Sequence, residues 1–510
     1  MMRSAGPPRL SMTSLAAFPP SSDRVALPRI DPMSTTVGIV HLGIGAFHRA
    51  HQAAFTEDAA AAAGENGWGI LGVSQRSRRV VDQLAPQDGL YAILTTERSA
   101  TSLRLIGSVR GVAFQPDEAE QVLDAIAADT THVVSMTVSE KGYRRASSGC
   151  PDLTDPDLSA DIAAIGEELD ARPRAAQAAA AARTPIGGLV RGLARRARAH
   201  GAPLTVVCCD NMAANGRVVA ELVHGVLEAV PGPGAASLRS WMEDNVRFPV
   251  TMVDRITPAT TDAHRAEATV LLGLRDEGLV VAEPFMEWVI EDAFAGPRPK
   301  WELAGARITG DVEPYERAKL RMLNGSHSAI AYLGALRGHH RIDHAMADDV
   351  VLSTARRLMD EDVIPTLDPP AGVDLATYRD EILERFADPA TGYTTYQVAG
   401  DGSHKLPIRI LDTIADRLAT GVVPTAATQV VAAWIVFVGR RRDAHGRELP
   451  LDDPWADRLG ATAAGPEGSL VDRMLSLREV FPAAIAEHDG FRTALRVEVA
   501  GLLRSLDAVE

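Results

Sequence analysis

Four short, uninterrupted apolar runs separated by helix-like stretches constrain the first half of this chain more than any other feature. They are Thr36–Leu42 (TVGIVHL), Gly69–Val73, Val133–Val138 (VVSMTV) and Leu204–Cys209 (LTVVCC). None of the long runs alternates apolar with polar residues, so they suit strands covered on both faces, as in a parallel sheet. Helix-like stretches such as Phe47–Ala63 lie between them, and this β-α-β order predicts a doubly wound α/β fold. From about Glu313 the pattern changes. Helical periodicity runs through Tyr315–Leu336, Ala345–Asp360, Asp374–Phe386, Ala426–Arg441 and Leu470–Val480. A chain of 510 residues exceeds the size at which a single core stops growing. Two domains follow, with a boundary near Ala295–Trp301, where Gly296-Pro297-Arg298-Pro299 interrupts the pattern.

A formal net charge of −15 argues against nonspecific binding to nucleic acid or anionic membranes. A local basic pocket on such a chain can still take an anionic small molecule. The three cysteines, Cys150, Cys208 and Cys209, form no disulfide framework and point to a reducing compartment. Met1 to about Pro32 is rich in Pro, Ser and Ala, lacks the apolar core of a secretory signal, and reads as a disordered extension. The longest apolar run, Val430–Val438, is far short of the about 20 residues that span a bilayer. The cytoplasm is the expected location. Asp170–Ala199, rich in Ala and Arg, reads as a helical region with an exposed charged face.

Two constellations carry chemistry. The first is Gly43-Ile44-Gly45-Ala46-Phe47, which follows the first apolar run and opens a helix. Glycines there allow a tight turn and let backbone N–H groups approach a pyrophosphate at a helix start. The third glycine of the usual G-x-G-x-x-G is replaced by His48, and Arg49 offers a cation for phosphate. No carboxylate ends the next strand candidate; Ser74-Gln75-Arg76-Ser77-Arg78-Arg79 stands there, so Arg76 and its neighbours can meet a 2′-phosphate. NAD and NADP both remain open on this reading.

The second constellation is Lys319, Asn324 and His327 at the start of the helical half. On an α-helix Lys319 and His327 fall about 80° apart and Asn324 about 60° beyond His327, so all three can border one pocket. A neutral amine accepts a hydroxyl proton, an amide stabilises a developing alkoxide, and an imidazole orients the hydroxyl. Glu316, one turn earlier, suits a proton relay or an exposed helix position. Cys209–Gly216 (CDNMAANG) adds Asn211 and Asn215 after the last apolar run, and Asp254–Arg255 adds a charged pair. His339, His340 and His404 lack partners at ligand spacing, so no metal is expected.

Taken together these segments resemble one family. HLGIGAFHRAHQA at His41–Ala53, SEKGY at Ser139–Tyr143, CDNMAANG at Cys209–Gly216, VDRITP at Val253–Pro258, EPFMEWVIED at Glu283–Asp292 and KLRMLNGSH at Lys319–His327 are similar to the polyol-specific long-chain dehydrogenases, the mannitol dehydrogenase and fructuronate (mannonate) oxidoreductase group. The resemblance implies a Rossmann-type dinucleotide-binding domain over 33–296 and a helical catalytic domain over 297–510, with the site between them. It implies metal-free oxidoreduction with NAD, Lys319 as general base, and an oxyanion pocket of Asn324 with Asn211, Asn215 being the reserve. His327 would bind substrate, with Asp254, Lys405 and Arg409 nearby. Glu140-Lys141-Gly142-Tyr143 and Tyr396-Gln397 resemble the uronate side of the group, and Lys405 and Arg409 suit a carboxylate. The substrate expected is a sugar acid or polyol, with fructuronate and mannonate ahead of fructose and mannitol. A nucleotide-binding sensor without catalysis is the alternative of another class. A monomer or small homo-oligomer is expected.

Overall fold

The computed structural model describes residues 6–97, 100–146, 148–170 and 181–508. The chain divides into two compact units, one ending at Val312 and the other beginning at Glu313. The first unit is built on a six-stranded sheet. Its strands are β1 (Val37–Leu42), β2 (Gly69–Ser74), β3 (Val109–Phe114), β4 (Val133–Met136), β5 (Leu204–Cys208) and β6 (Val246–Arg247). They lie in the order β3-β2-β1-β4-β5-β6, and every pairing is parallel. The four apolar runs are therefore β1, β2, β4 and β5, neighbours in the middle of the sheet and buried on both faces. The strand order reverses direction between β1 and β4, and ligands of open α/β sheets bind in the crevice at such a point.

That crevice is shaped by a glycine. Gly43 ends β1 with φ +102, and a Cβ there would sit 2.1 Å from the Thr137 carbonyl oxygen. Two short helices follow, α1 (Ala46–Ala50) and α2 (Gln52–Ala63). Under the turn, the rings of His41 and His48 stack with centroids 3.3 Å apart, both fully buried. His41 is held through Nδ1 to Ser135 Oγ at 2.8 Å and through Nε2 to Thr137 Oγ1 at 2.9 Å. A flat ring thus fills the position where the third glycine of the motif ordinarily lets helix and strand approach.

Two smaller sheets complete the unit. One joins Val25–Ala26, Ala100–Ile106, Tyr91–Glu97 and Val280–Ala282, and the other joins Thr251–Asp254, Glu287–Glu291 and Arg307–Thr309. They correct two expectations. Residues 6–32 are not a disordered extension. Leu10 is completely buried, its N–H donates to the Arg275 carbonyl at 2.8 Å, and Val25–Ala26 pairs in parallel with Leu103–Arg104. Arg29 then binds Asp58 at 2.8 Å. The segment is anchored by a few isolated contacts and a sheet edge, which leave no apolar periodicity to read. The boundary also lies later than 296/297. After the proline-rich interruption Trp301 is buried against Trp288 (centroids 4.7 Å apart), and Arg307–Thr309 pairs with Glu287–Glu291.

Of the Ala- and Arg-rich stretch, Pro185–Ala199 is a helix, while residues 171–180 lie outside the described residues. Its charges are not all exposed. Arg196 is buried and donates to the carbonyls of Ile126, Ala128, Ala202 and Pro203, which gives partners to backbone oxygens at a helix end and before a strand.

The second unit is helical, and Trp434 and Tyr332 are among its fully buried side chains. Its core helices include α3 (Gly325–Leu336), α4 (Thr425–Arg440) and α5 (Asp489–Asp507). The periodic stretch Tyr315–Leu336 is not one regular α-helix: Lys319–Asn324 forms a π-helical turn between Glu313–Ala318 and α3. Leu470–Val480 yields a helix only as far as Leu475. Among the described residues no helix is long and apolar enough to cross a membrane.

Two outcomes follow. Leu10→Ala removes a fully buried side chain and is expected to lower stability by about 2–5 kcal/mol. Urea unfolding checks this, and an unchanged midpoint would mean that the segment is not docked in solution. Burial pushes His41 down to about 3 and His48 well below the usual 6.5. Both titrate near 6.5 in the unfolded chain, so below that pH the unfolded state binds more protons and stability falls as pH drops toward 3. Between pH 7 and pH 5 the loss amounts to about 2 kcal/mol per histidine. Unfolding at the two pH values should show it, with a shallower dependence in His41→Gln. A wild-type stability equal at both would mean that the rings carry no depressed titration.

Candidate active site

In the first unit the carboxyl ends of β1, β4 and β5 converge. Gly43 and Ile44 donate their N–H groups to the Val73 carbonyl at 2.8 and 3.1 Å, which folds the turn back toward β2. The Ile44 side chain is buried against Gly72, where a Cβ would lie 2.1 Å from Ile44 Cδ1, so only its backbone lines the turn. Gly45 is exposed, and the nearest atom to a Cβ built on it is 3.7 Å away. No side chain caps α1, so the N–H groups that open it at Ala46 and Phe47 have no intrahelical acceptor. Bare backbone beside open space fits the diphosphate of a dinucleotide. Phe47 is half-buried and stacks on His51 at 5.0 Å.

Arg49, expected near phosphate, does something else. It is buried and donates to the carbonyls of Gly45, at 3.2 Å, and Gly278, with its guanidinium over Tyr91. Its position in a helix behind the turn points it into the unit. Arg76 instead lies exposed after β2.

The loops after β4 and β5 are joined by a carboxylate that sequence reasoning passed over. Asp210 accepts from Val138 N–H and Ser139 N–H, each at 2.9 Å, and from Tyr143 Oη at 2.5 Å. Burial raises its pKa, and these three donors pull it back down. The available signal was the tyrosine of the EKGY segment, an amphipathic ring placed near an acidic strand end. Ser139, Arg144 and Ala214 all have positive φ in these loops, at 67°, 50° and 49°. Such backbone strain at non-glycine residues gathers where surrounding contacts hold a site in shape.

The two asparagines part company. Asn215 is buried and spends its amide on Asp210 O, Thr251 O and Thr251 Oγ1, and its carbonyl on Thr251 N–H at 2.9 Å. It pins the loop to the strand Thr251–Asp254. Asn211 is exposed at the end of β5. Asp254 is buried at the end of its strand, and the following Arg255 donates to the Glu283 carbonyl at 2.8 and 3.0 Å.

In the second unit, Lys319 and Asn324 are the first and last residues of the π-helical turn, 6% and 7% exposed. The α-helical angles expected for them therefore do not apply. A π turn holds more residues than an α turn and commonly marks functional positions. His327, the third residue of α3, stacks on Phe386 at 4.6 Å and meets Tyr393 edge-on at 5.8 Å. Two further π turns occur among the described residues, Leu358–Val363 and Pro407–Leu411, the latter continuing the helix Gly402–Leu406. The cause of the latter is local: a proline inside a helix has no N–H to give and crowds the carbonyl four residues back. It approaches the Lys319–Asn324 turn at Gly325, where a Cβ would lie 3.0 Å from the Arg409 carbonyl. Arg409 donates to Ser328 Oγ at 3.1 Å and to the Asn324 carbonyl at 3.4 Å. Lys405 donates to the Gly400 carbonyl at 2.6 Å, and burial together with Arg409 lowers its pKa. Gln397 is exposed and closes a capping box with Thr394. Among the described residues no group of three His, Cys, Asp or Glu side chains is placed to hold a metal.

Comparison with known proteins gives this geometry a context. Residues 37–303 match the mannitol dehydrogenase Rossmann domain and residues 311–502 the mannitol dehydrogenase C-terminal domain. The chain is 36% identical to the D-mannonate oxidoreductase of Escherichia coli (strain K12), covering 92% of this chain and 93% of that protein. It is 35% identical to a mannitol 2-dehydrogenase of Pyrenophora tritici-repentis, over 95% and 83%. Among solved structures it is similar to the Pseudomonas fluorescens mannitol 2-dehydrogenase in ternary complex with NAD and D-mannitol. That match has 33% identity and a TM-score of 0.82, and covers 98% of this chain and 99% of the other. With both of its units matched in order and nearly end to end, the chain belongs to the mannitol dehydrogenase family of oxidoreductases.

Proposed function

We propose that this enzyme interconverts a secondary alcohol and a ketone on an open-chain sugar acid, with NAD and without a metal, and that fructuronate and mannonate are its substrate pair. The observation that carries the reading is the π-helical turn, which buries Lys319 and Asn324 at its two ends. When bound, the nicotinamide takes up hydrogen and an electron pair from the carbinol carbon. The glycine turn at Gly43–Phe47 binds the diphosphate through backbone N–H groups. Lys319 Nζ accepts the hydroxyl proton. The Asn324 amide donates to the oxygen as its charge grows, and Asn211, exposed after β5, is the first unit's candidate for the same role. His327, its ring fixed against Phe386, orients the hydroxyl. Asn215 leaves the set of substrate-facing candidates because its amide and carbonyl are already engaged.

Support for an acid substrate comes from Lys405 and Arg409, one helical turn apart. Arg409 borders both Asn324 and Ser328. Arg409 is a cation beside the residue assigned to the reacting oxygen, which suits a carboxylate one end of the sugar away, and Lys405, bonded to the Gly400 carbonyl, adds a second basic group one turn earlier. The resemblance to a mannitol 2-dehydrogenase supports a polyol as the second reading.

Lys319→Ala is expected to lower kcat by about 10²–10⁴-fold, the usual contribution of a positioned base. Dinucleotide affinity, followed by protein fluorescence, should stay within about threefold. Near-normal turnover would remove Lys319 as the proton acceptor. Steady-state kinetics should favour fructuronate over fructose in kcat/KM by about tenfold or more, the value of one charge-assisted hydrogen bond. Lys405→Met should erase most of that preference. A preference for fructose in the wild type selects the polyol reading.

A further inference from the structure

The dinucleotide reading above leaves one part of the ligand unassigned, its adenosine ribose. In a doubly wound sheet this ribose lies at the carboxyl end of the second strand. A carboxylate there binds the 2′-hydroxyl, whereas an arginine accommodates a 2′-phosphate. Here that strand is β2, which ends in Ser74 and runs into Gln75, Arg76 and Ser77. Ser74 Oγ donates to the Ser77 carbonyl at 2.6 Å and closes a tight turn, and Gln75 donates to Gln115 Oε1 at 3.2 Å. Two carboxylates stand near the turn, Asp82 and Asp117. Arg78 holds both, the first at 3.3 Å. Its single charge offsets one of their two.

Arg76 is different. It is exposed and has no ion pair among the described residues. Its Nη2 lies 3.4 Å from where a Cβ would stand on Gly142, in the loop after β4. β1 lies between β2 and β4 in the sheet. The guanidinium therefore lies on the side of β2 that faces β1 and the loop after β4. A cation in this place, on a strand that ends in Ser74 and not in a carboxylate, attracts phosphate instead of repelling it.

We infer that Arg76 reads a 2′-phosphate, so that the chain takes the 2′-phosphorylated dinucleotide as well as NAD. The inference rests on the dinucleotide reading of the glycine turn. The guanidinium donates to the phosphate oxygens, and the serines of the turn leave room for them.

Calorimetric titration of the full chain with ADP-ribose and with 2′-phospho-ADP-ribose tests it. Neither ligand carries a nicotinamide, so the readout does not depend on turnover. The phosphorylated ligand should bind at least as tightly as the plain one. Arg76→Ala should weaken the phosphorylated ligand about ten- to hundredfold, the range of one or two charge-assisted hydrogen bonds, and the plain ligand by less than about threefold. Ser74→Asp, which restores a carboxylate at the strand end, should give the same selective loss. Equal losses for both ligands in Arg76→Ala would place the guanidinium on the diphosphate and overturn the inference while leaving the dinucleotide reading intact. A wild type preferring the plain ligand by tenfold or more overturns it in the same way. Binding of neither ligand would take down the dinucleotide reading itself, and this inference with it.

Discussion

The close approach of Gly43 to the Thr137 carbonyl is the constraint on which the first unit's crevice depends. Any side chain at that position would drive β1 away from the end of β4. The turn could then no longer fold back onto Val73, and the start of the following helix would lose its bare backbone. The stacked histidines beneath are the counterpart of this packing. They fill the space that a third glycine leaves empty in other chains of this architecture, and they accept burial in the neutral form as the cost. The crevice is thus held open above by the absence of a side chain and supported below by two flat rings.

Carboxylates and amides then fix the loops around it. Asp210 ties the loop after β4 to the end of β5, and Asn215 ties the next helix start to the strand Thr251–Asp254. Asn215 is buried and Asp210 half-buried, each with its partners in place, the condition under which such groups sharpen a structure instead of destabilising it. The exposed Asn211 sits between these two anchors, so its backbone has little freedom even though its side chain is at the surface.

Much of this was legible in the sequence, for identifiable reasons. Continuous apolar runs gave the central strands because strands buried on both faces carry no alternation. The glycine turn and the Lys319–His327 segment stood out because their chemistry is compressed into a few consecutive residues. What escaped detection depends on distant partners or on departures from ideal geometry. Arg49 has the charge for phosphate, but the helix directs it to the Gly278 carbonyl, more than two hundred residues later. Leu10 belongs to a core because Arg275 is beside it, and no local pattern announces that. The π turn was invisible because a helical wheel assumes a constant angle per residue.

That turn has a consequence for how this site can vary. A π turn is an α-helix carrying one surplus residue, accommodated by a local widening. Loss of a single residue between Lys319 and Asn324 would let the backbone relax to ordinary α geometry, with α3 and the helix before it still joined and the fold's length bookkeeping undisturbed. Lys319 and Asn324, the groups proposed for the chemistry at its two ends, would then sit at a different angular offset. Gly325 would also rotate away from the Arg409 carbonyl, to which it is closely fitted. Length changes that the scaffold tolerates here are therefore not neutral for chemistry, and the segment is a place where indels separate stability from activity.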